Sequence, residues 1–323
     1  MYNPVIKMGV ELEVEFFGDP DYLFQHVIDE QIIGVHGIQQ GHIYVRHGKL
    51  IAKILDVGAN FLSVGYDRSL VDGIEIRGEP ASIEINKKAW IPLLEDSYIS
   101  KYILGDTATT AGMHVHMSGD PISPLTLAKM VKFIVHNDNK TLIKIIAGRY
   151  HETGSTGVYF SDNEKHLTSA SVVYVYHSKS CRKFPNKKFA TGGISGNFVE
   201  MKTCPCRPLK WIRRSAINVI PSHDSGLCEI RMFQSTTKPQ KFMANLEFCV
   251  ALVEFCHEKT MQELTSRNFL KWLEQAHNKI KYSNLFKSLR ESNIVEGLIP
   301  RRETYKEWIV KREVKVKTFQ TVR

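Results

Sequence analysis

Nowhere does the 323-residue sequence hold about 18 consecutive apolar residues, and it does not open on a basic segment followed by an apolar one. Neither a membrane-spanning helix nor a secretory signal is expected, and a soluble, cytoplasmic protein is. Cysteine is scarce. The six present (Cys181, Cys204, Cys206, Cys228, Cys249 and Cys256) are too few and too scattered for a disulfide scaffold and suit a reducing compartment. Cys204 and Cys206 form a C-x-C pair with no second pair at zinc-finger spacing, which argues against structural zinc. Internal repeats and low-complexity segments are also missing.

What is present is the composition of an ordinary globular protein. A hydrophobic content of 43% supports a sizeable core in one large domain or two. The net charge of +9 and a pI near 9.1 suit an anionic partner, whether nucleic acid, nucleotide or acidic substrate. Its basic residues concentrate at 179–188, at 210–214 and after Pro300.

Residues 8–17 alternate acid with apolar residue without a slip. That period predicts a strand with Glu11, Glu13 and Glu15 on one face and Val10, Leu12, Val14 and Phe16 on the other. Three carboxylates about 7 Å apart repel unless they are solvated or share a cation. Alone, such a strand is a wet sheet edge. Three further segments repeat the pattern with other ligand types. Residues 73–80 place Glu75 opposite isoleucines and end in Gly78-Glu79-Pro80. Residues 111–118 put His114 and His116 together, away from Met113, Val115 and Met117. Residues 227–233 set Glu229 and Arg231 against Cys228, Ile230 and Met232. Four such strands point to an antiparallel sheet with one polar face. Hard oxygen ligands in this number favour Mg²⁺ or Mn²⁺. An arginine beside them suits phosphate oxygens, so the set indicates phosphoryl chemistry on a nucleotide.

Between these strands, helical spacing is expected at 21–31 and 89–104. Short strands are expected at 43–56 and a turn at 65–70. Ser123 with Pro124 marks a helix start. A second helical run, 142–147, ends at Gly148, and Thr237 is the expected cap of a helix carrying Phe242, Leu246, Cys249, Val253 and Cys256. Residues 151–210 are loop-rich around one strand at 171–176, and two or three helices follow residue 262.

Gly9-x-Glu11-x-Glu13, Gly112-Met113-His114-x-His116-x-Ser118 and Glu229-x-Arg231 resemble, in that order, the signature strands of the glutamine synthetase-like carboxylate–amine ligases. They are most similar to the amidoligase branch of phages and bacteria, whose middle motif Asp67-x-Ser69 and Glu75 with Glu79-Pro80 follow loosely. The resemblance implies an α+β fold in which a curved antiparallel β-sheet is flanked by helices. It implies a catalytic domain over 1–265, with 151–210 as a substrate insertion and 266–323 as a helical, basic extension. It implies ATP and Mg²⁺ or Mn²⁺ as cofactors, with Glu11, Glu13, Glu75, His114 and Glu229 as metal ligands. His116, Ser118 and Arg149 would bind nucleotide or substrate. Arg231 would steady the transferring phosphate, and Glu79 would act as acid–base at the rim. The implied reaction joins a carboxylate and an amine through an acyl phosphate. The acceptor is left open among a small molecule, a peptide and a protein side chain. A guanidino-type kinase, a metal-dependent hydrolase or nuclease, and a non-enzymatic nucleic-acid-binding protein are the alternatives that the residues leave open.

Overall fold

The computed structural model describes residues 5–16, 48–65, 67, 70, 73–105, 108, 111–148, 216–218 and 228–292, and the backbone of three strands between residues 172 and 201. The expected helix at 21–31, Ser69, Arg149 and the basic segments at 179–187, 210–214 and 300–323 lie outside them. The chain is α+β with a seven-stranded antiparallel main sheet. Its strands are β1 (Lys7–Phe16), β2 (Leu62–Gly65), β3 (Gly73–Ala81), β4 (Ile103–Leu104), β5 (Gly112–Ser118), β9 (Ile217–Asn218) and β10 (Cys228–Gln234). Between β5 and β9 in the chain, β6 (Val172–Tyr176), β7 (Lys188–Thr191) and β8 (Phe198–Met201) form a second sheet in the order β7-β6-β8. The main sheet is open and runs β2-β3-β1-β5-β10-β9, with β4 pairing the end of β1. Every pairing in it is antiparallel.

The period-two pattern decides which face the core takes. Met8, Val10, Leu12 and Val14 of β1 are fully covered, as are Ile74 and Ile76 of β3, Met113, Val115 and Met117 of β5, and Cys228, Ile230 and Met232 of β10. Against this face lies a helical layer. Its central member, α6 (Pro239–Glu258), is buried on all sides from Phe242 to Val253, as expected of a helix enclosed by other elements. Around it are α2 (Ile83–Glu95), α4 (Pro124–Val135), α5 (Lys140–Ala147) and α9 (Ser283–Glu291). Helices α7 (Ser266–Leu273) and α8 (Ala276–Lys281) precede α9 in the chain. Phe269, Trp272, Tyr282 and Leu285 from this C-terminal stretch join the same apolar core as Phe133, Phe248 and Phe255.

Several local expectations are corrected. Residues 48–56 are not strand but part of helix α1 (Gly48–Gly58), because Leu50, Ile51 and Ile54 fall on one helical face and are fully buried. Gly65 ends strand β2 instead of opening a turn. The helix expected at 89–104 begins earlier, at Ile83, where the Ser82 hydroxyl accepts from the Ile85 N–H. Pro92 therefore lies within α2. A separate helix α3 (Ser97–Tyr102) starts where Asp96 Oδ1 accepts from Tyr98 N and Ile99 N at 2.9 Å. Thr237 does not cap α6. The cap position is Lys238, and Pro239 takes the first turn, where its missing N–H costs nothing.

One buried side chain fixes how β1 meets β3. The register shifts between Met8 and Val10, and Asn86 of α2 reaches this irregularity. Its Nδ2 donates to Met8 O at 2.9 Å, Ala81 O at 3.1 Å and Ser82 O at 3.1 Å. The amide thereby ties the start of α2 to the end of β3 and to Met8 of β1.

Candidate active site

The opposite face of the main sheet gathers the polar residues of four strands. Glu11 of β1 pairs across from Arg77 of β3 on one side and from His114 of β5 on the other. Glu13 pairs across from Glu75, and His116 from Glu229 of β10. Glu13, Glu75, His114 and Glu229 are buried, and Glu11, His116 and Arg231 are half-buried.

Glu11 is the hub. Its Oε2 lies 3.3 Å from His114 Nδ1 and its Oε1 lies 3.1 Å from His116 Nε2. Glu229 Oε1 lies 3.9 Å from His114 Nδ1 and 3.7 Å from His116 Nε2, and it is ion-paired with Arg231 Nη1. On the other side Glu75 Oε2 accepts from Arg77 Nε at 2.6 Å. Glu13 is held separately. Its Oε2 accepts from Gly112 N at 2.5 Å, its main-chain carbonyl accepts from the Ser235 hydroxyl, and its Oε1 lies 3.7 Å from His114 Nε2.

Charge decides what this face requires. The carboxylates of Glu11, Glu13, Glu75 and Glu229 face the guanidinium groups of Arg77 and Arg231. Among the described residues, and with both histidines neutral, these groups carry two more negative than positive charges in a largely buried place, where excess charge is costly. Protons meet part of that need. Burial pushes Glu75 up to about 7, with the charge of Glu11 adding to the rise and Arg77 opposing it. Burial pulls His116 down, but hydrogen bonding and attraction to Glu11, with Glu229 adding, raise it above its usual value. Burial also pushes Glu11 up, yet His114 and His116 outweigh it and hold that carboxyl well below the ordinary range.

A divalent cation would meet the same need. Ligand atoms of Glu11, His116 and Glu229 lie within 4.8 Å of one another, and so do those of Glu11, Glu75 and His114. Neighbouring and opposite ligands of an octahedral Mg²⁺ site are about 3 to 4 Å apart. Within the trios, the separations of 3.1 Å from Glu11 to His116, 3.7 Å from His116 to Glu229 and 3.3 Å from Glu11 to His114 fall in that interval. His116 Nε2 is itself buried, 3.1 Å from Glu11 Oε1 and 3.7 Å from Glu229 Oε1, so it stands between the two carboxylates of its trio. The donor set therefore fits one or two hard divalent cations, with Glu11 shared between the two trios.

Of the sequence-derived residues, the fold brings Glu11, Glu13, Glu75, His114, His116, Glu229 and Arg231 together. Glu13 lies outside both trios, and His116 lies inside one of them. Ser118 sits at the end of β5, across from Lys7. Glu79 is exposed where β3 leaves the bulge, and Glu15 pairs across from Gly73 and Leu104, farther along β1. Arg149 lies outside the described residues. Arg77 is the residue that motif reading missed. Its signal was available, since the tripeptide Glu-Ile-Arg at 75–77 recurs at 229–231.

Neither a family model nor a curated protein matches the chain. Solved structures similar to it include apo GmaS, at 12% identity over 94% of this chain and 72% of that one, with a TM-score of 0.41. A GmaS/ADP complex is 13% identical over 98% and 70%, with a TM-score of 0.43. The complex between the prokaryotic ubiquitin-like protein Pup and its ligase PafA gives 11% over 97% and 69%, with a TM-score of 0.35.

The proton-binding shifts have a measurable consequence. Stability from Glu75 is complete below its unfolded value of 4.5 and lost as pH rises through about 7. Stability from His116 is complete below 6.5 and lost above it. Glu11 stays ionised in both states throughout this window and adds no slope. The metal-free chain is expected to lose about 1 kcal/mol between pH 6 and pH 8 through Glu75, with His116 adding in the same direction. Denaturant unfolding at both pH values checks this, and Glu75→Gln should remove most of the difference. An unchanged slope in that variant would contradict the assignment.

Proposed function

We propose that the chain is an ATP- and Mg²⁺-dependent carboxylate–amine ligase that forms an amide through an acyl phosphate. The observation that carries this reading is the shared face of β3, β1, β5 and β10. There, the motifs that resemble glutamine synthetase-like ligases converge on Glu11 in two cation-sized trios beside an arginine. The same reading takes the sheet to be of the glutamine synthetase catalytic type, curved with its polar face as the concave side, and the unit over 1–265 to be catalytic.

In this scheme Glu11, Glu75, His114, His116 and Glu229 hold Mg²⁺, with Glu13 orienting His114 from behind. Bound Mg²⁺ supplies neutralisation of phosphate charge. His116 and Ser118 would bind the nucleotide's phosphates. A carboxylate oxygen of the acid attacks the γ-phosphorus, and the bond to the β-phosphate oxygen breaks to release ADP. Arg231, fixed by Glu229, neutralises charge that develops on the transferring group. The amine nitrogen then displaces phosphate from the acyl carbon, and the exposed Glu79 accepts the ammonium proton. Arg149 is proposed as a further substrate- or phosphate-binding group. Among the described residues no helix is long and apolar enough to cross a membrane, and the acid and amine are sought among small molecules, peptides and protein side chains.

The test is release of ADP and phosphate from ATP with Mg²⁺ across pools of amino acids, diamines and peptides. Turnover is expected to need both a carboxylate and an amine, and Arg231→Ala is expected to lower it by about a hundredfold or more. Turnover with the amine pool alone would identify a kinase. Absence of metal-dependent ATP binding would end the nucleotide reading.

A further inference from the structure

Arg77 belongs to none of the recognised motifs, and the proposed chemistry leaves it without a task. Its setting nevertheless parallels that of Arg231. The tripeptides Glu75-Ile76-Arg77 and Glu229-Ile230-Arg231 lie on β3 and β10, the two strands that flank the central pair β1 and β5. Successive strands alternate in direction, so β3 and β10 run oppositely. Arg77 is paired across from Glu11, and Glu11 from His114. Glu75 faces Glu13 on one side of that row, and Glu229 faces His116 on the other. The two tripeptides thus run oppositely on the two sides of the Glu11–His114 pair, with the register of β10 shifting just after Ile230. In each, the arginine turns back onto its own glutamate, Arg77 onto Glu75 Oε2 and Arg231 onto Glu229 Oε1.

The seat of Arg77 is shaped for a guanidinium. A Cβ on Gly65 would lie 3.0 Å from Arg77 Cζ, 3.1 Å from Nη1 and 3.2 Å from Nη2, so the absence of a side chain on β2 makes the room. Nε and Nη2 both converge on one oxygen of Glu75, whose side chain is only 5% exposed, whereas that of Arg77 is 40% exposed. Among the described residues no hydrogen bond engages Nη1.

We propose that Arg77 is a second oxyanion-binding group, held by Glu75 in the metal-free chain and freed to take a carboxylate or phosphate oxygen when a divalent cation occupies Glu75. Glu75 belongs to the trio with Glu11 and His114. A cation there competes with the guanidinium for the same carboxylate charge, and the guanidinium then offers paired donors to an incoming oxyanion. Cation and oxyanion binding are coupled as a result, and by linkage each tightens the other by the same factor. The inference rests on the metal reading of the site given above, and the experiment separates the two.

Mn²⁺ binding to the full chain is followed by the electron paramagnetic resonance signal of the free ion, without oxyanion, with inorganic phosphate and with acetate. In the wild type at least one oxyanion should tighten Mn²⁺ binding by about tenfold. Tightening by acetate alone assigns a substrate carboxylate to Arg77, and tightening by phosphate alone assigns a phosphoryl group. Arg77→Gln should bind Mn²⁺ at least as tightly as the wild type without oxyanion, having lost the competitor for Glu75, and should keep less than about a twofold response. Gly65→Ala moves the guanidinium off its seat while keeping its charge, and an intermediate response is expected. Equal tightening in the wild type and Arg77→Gln, or none in the wild type, overturns the inference and leaves the metal site standing. A wild-type chain that binds no Mn²⁺ overturns both.

Discussion

Replacement of Glu11 by alanine is expected to weaken divalent-cation binding by more than about a hundredfold, the loss that removal of a mere outer-shell partner already causes, and to abolish ATP turnover. The size follows from its position. One carboxylate oxygen approaches His114 and the other approaches His116, so a single truncation removes a ligand from both trios at once. It also leaves Glu75 without the neighbouring charge that helps to raise it, and deprives His116 of the carboxylate that favours its cationic form. Glu15→Ala, four residues along the same face of β1 but outside both trios, serves as the comparison and should change cation affinity by less than about threefold, a shift of under 1 kcal/mol. Calorimetric titration with Mn²⁺ reads both. Equal effects from the two substitutions would mean that the acids act only as a diffuse field.

Gly73→Ala is expected to destabilise the fold by about 3 kcal/mol. A Cβ there would lie 2.2 Å from Val14 O and 3.1 Å from Glu15 Cα, which are backbone atoms of the central strand that cannot swing aside. Strand β3 would have to move away from β1, carrying Glu75 and Arg77 with it. Gly9→Ala is the contrasting case, even though Gly9 is the motif glycine. Its Cβ would meet Gly78 O and Pro80 Cγ at 3.5 Å, an ordinary contact. That change should cost less than about 1 kcal/mol, or stabilise slightly by restricting the unfolded chain. Urea midpoints of the two variants test the contrast, and similar losses would show that the sheet adjusts around Gly73.

The strands that bear the site were legible because each keeps a strict two-residue period with acids or histidines on one side. Residues 8–16, 73–80, 112–118 and 228–232 became strands with the expected faces, and at Phe233, buried next to buried Met232, a register shift in β10 breaks the period. The helix at Gly48–Gly58 was misread because its bounding glycines resemble turn signals, although Leu50, Ile51 and Ile54 carry helical spacing. The start of α2 was missed for a related reason. The Ser82 cap follows almost directly on Gly78-Glu79-Pro80, which reads as a break and hides the helix start behind it. Register is what one-dimensional spacing does not contain. That Glu11 faces both Arg77 and His114, or that Glu13 gives an oxygen to Gly112 N, emerges only when β3 and β5 dock on either side of β1. Arg77 was overlooked on those grounds, since a charge alternating with isoleucine reads as solvated surface until its partners are known.

The strand order has a consequence for how the chain is made. Strands β1, β2, β3 and β5 come from the first part of the sequence, whereas β10 carries Glu229 and Arg231 from far downstream and pairs directly with β5. Among the described strands, β5 therefore lacks its outer neighbour during synthesis until β10 leaves the ribosome. Helix α6, which covers the buried face beside it, emerges immediately afterwards. Closure of the sheet, sealing of the core and completion of the acidic cluster thus all wait for the segment from β10 to α6 to be made.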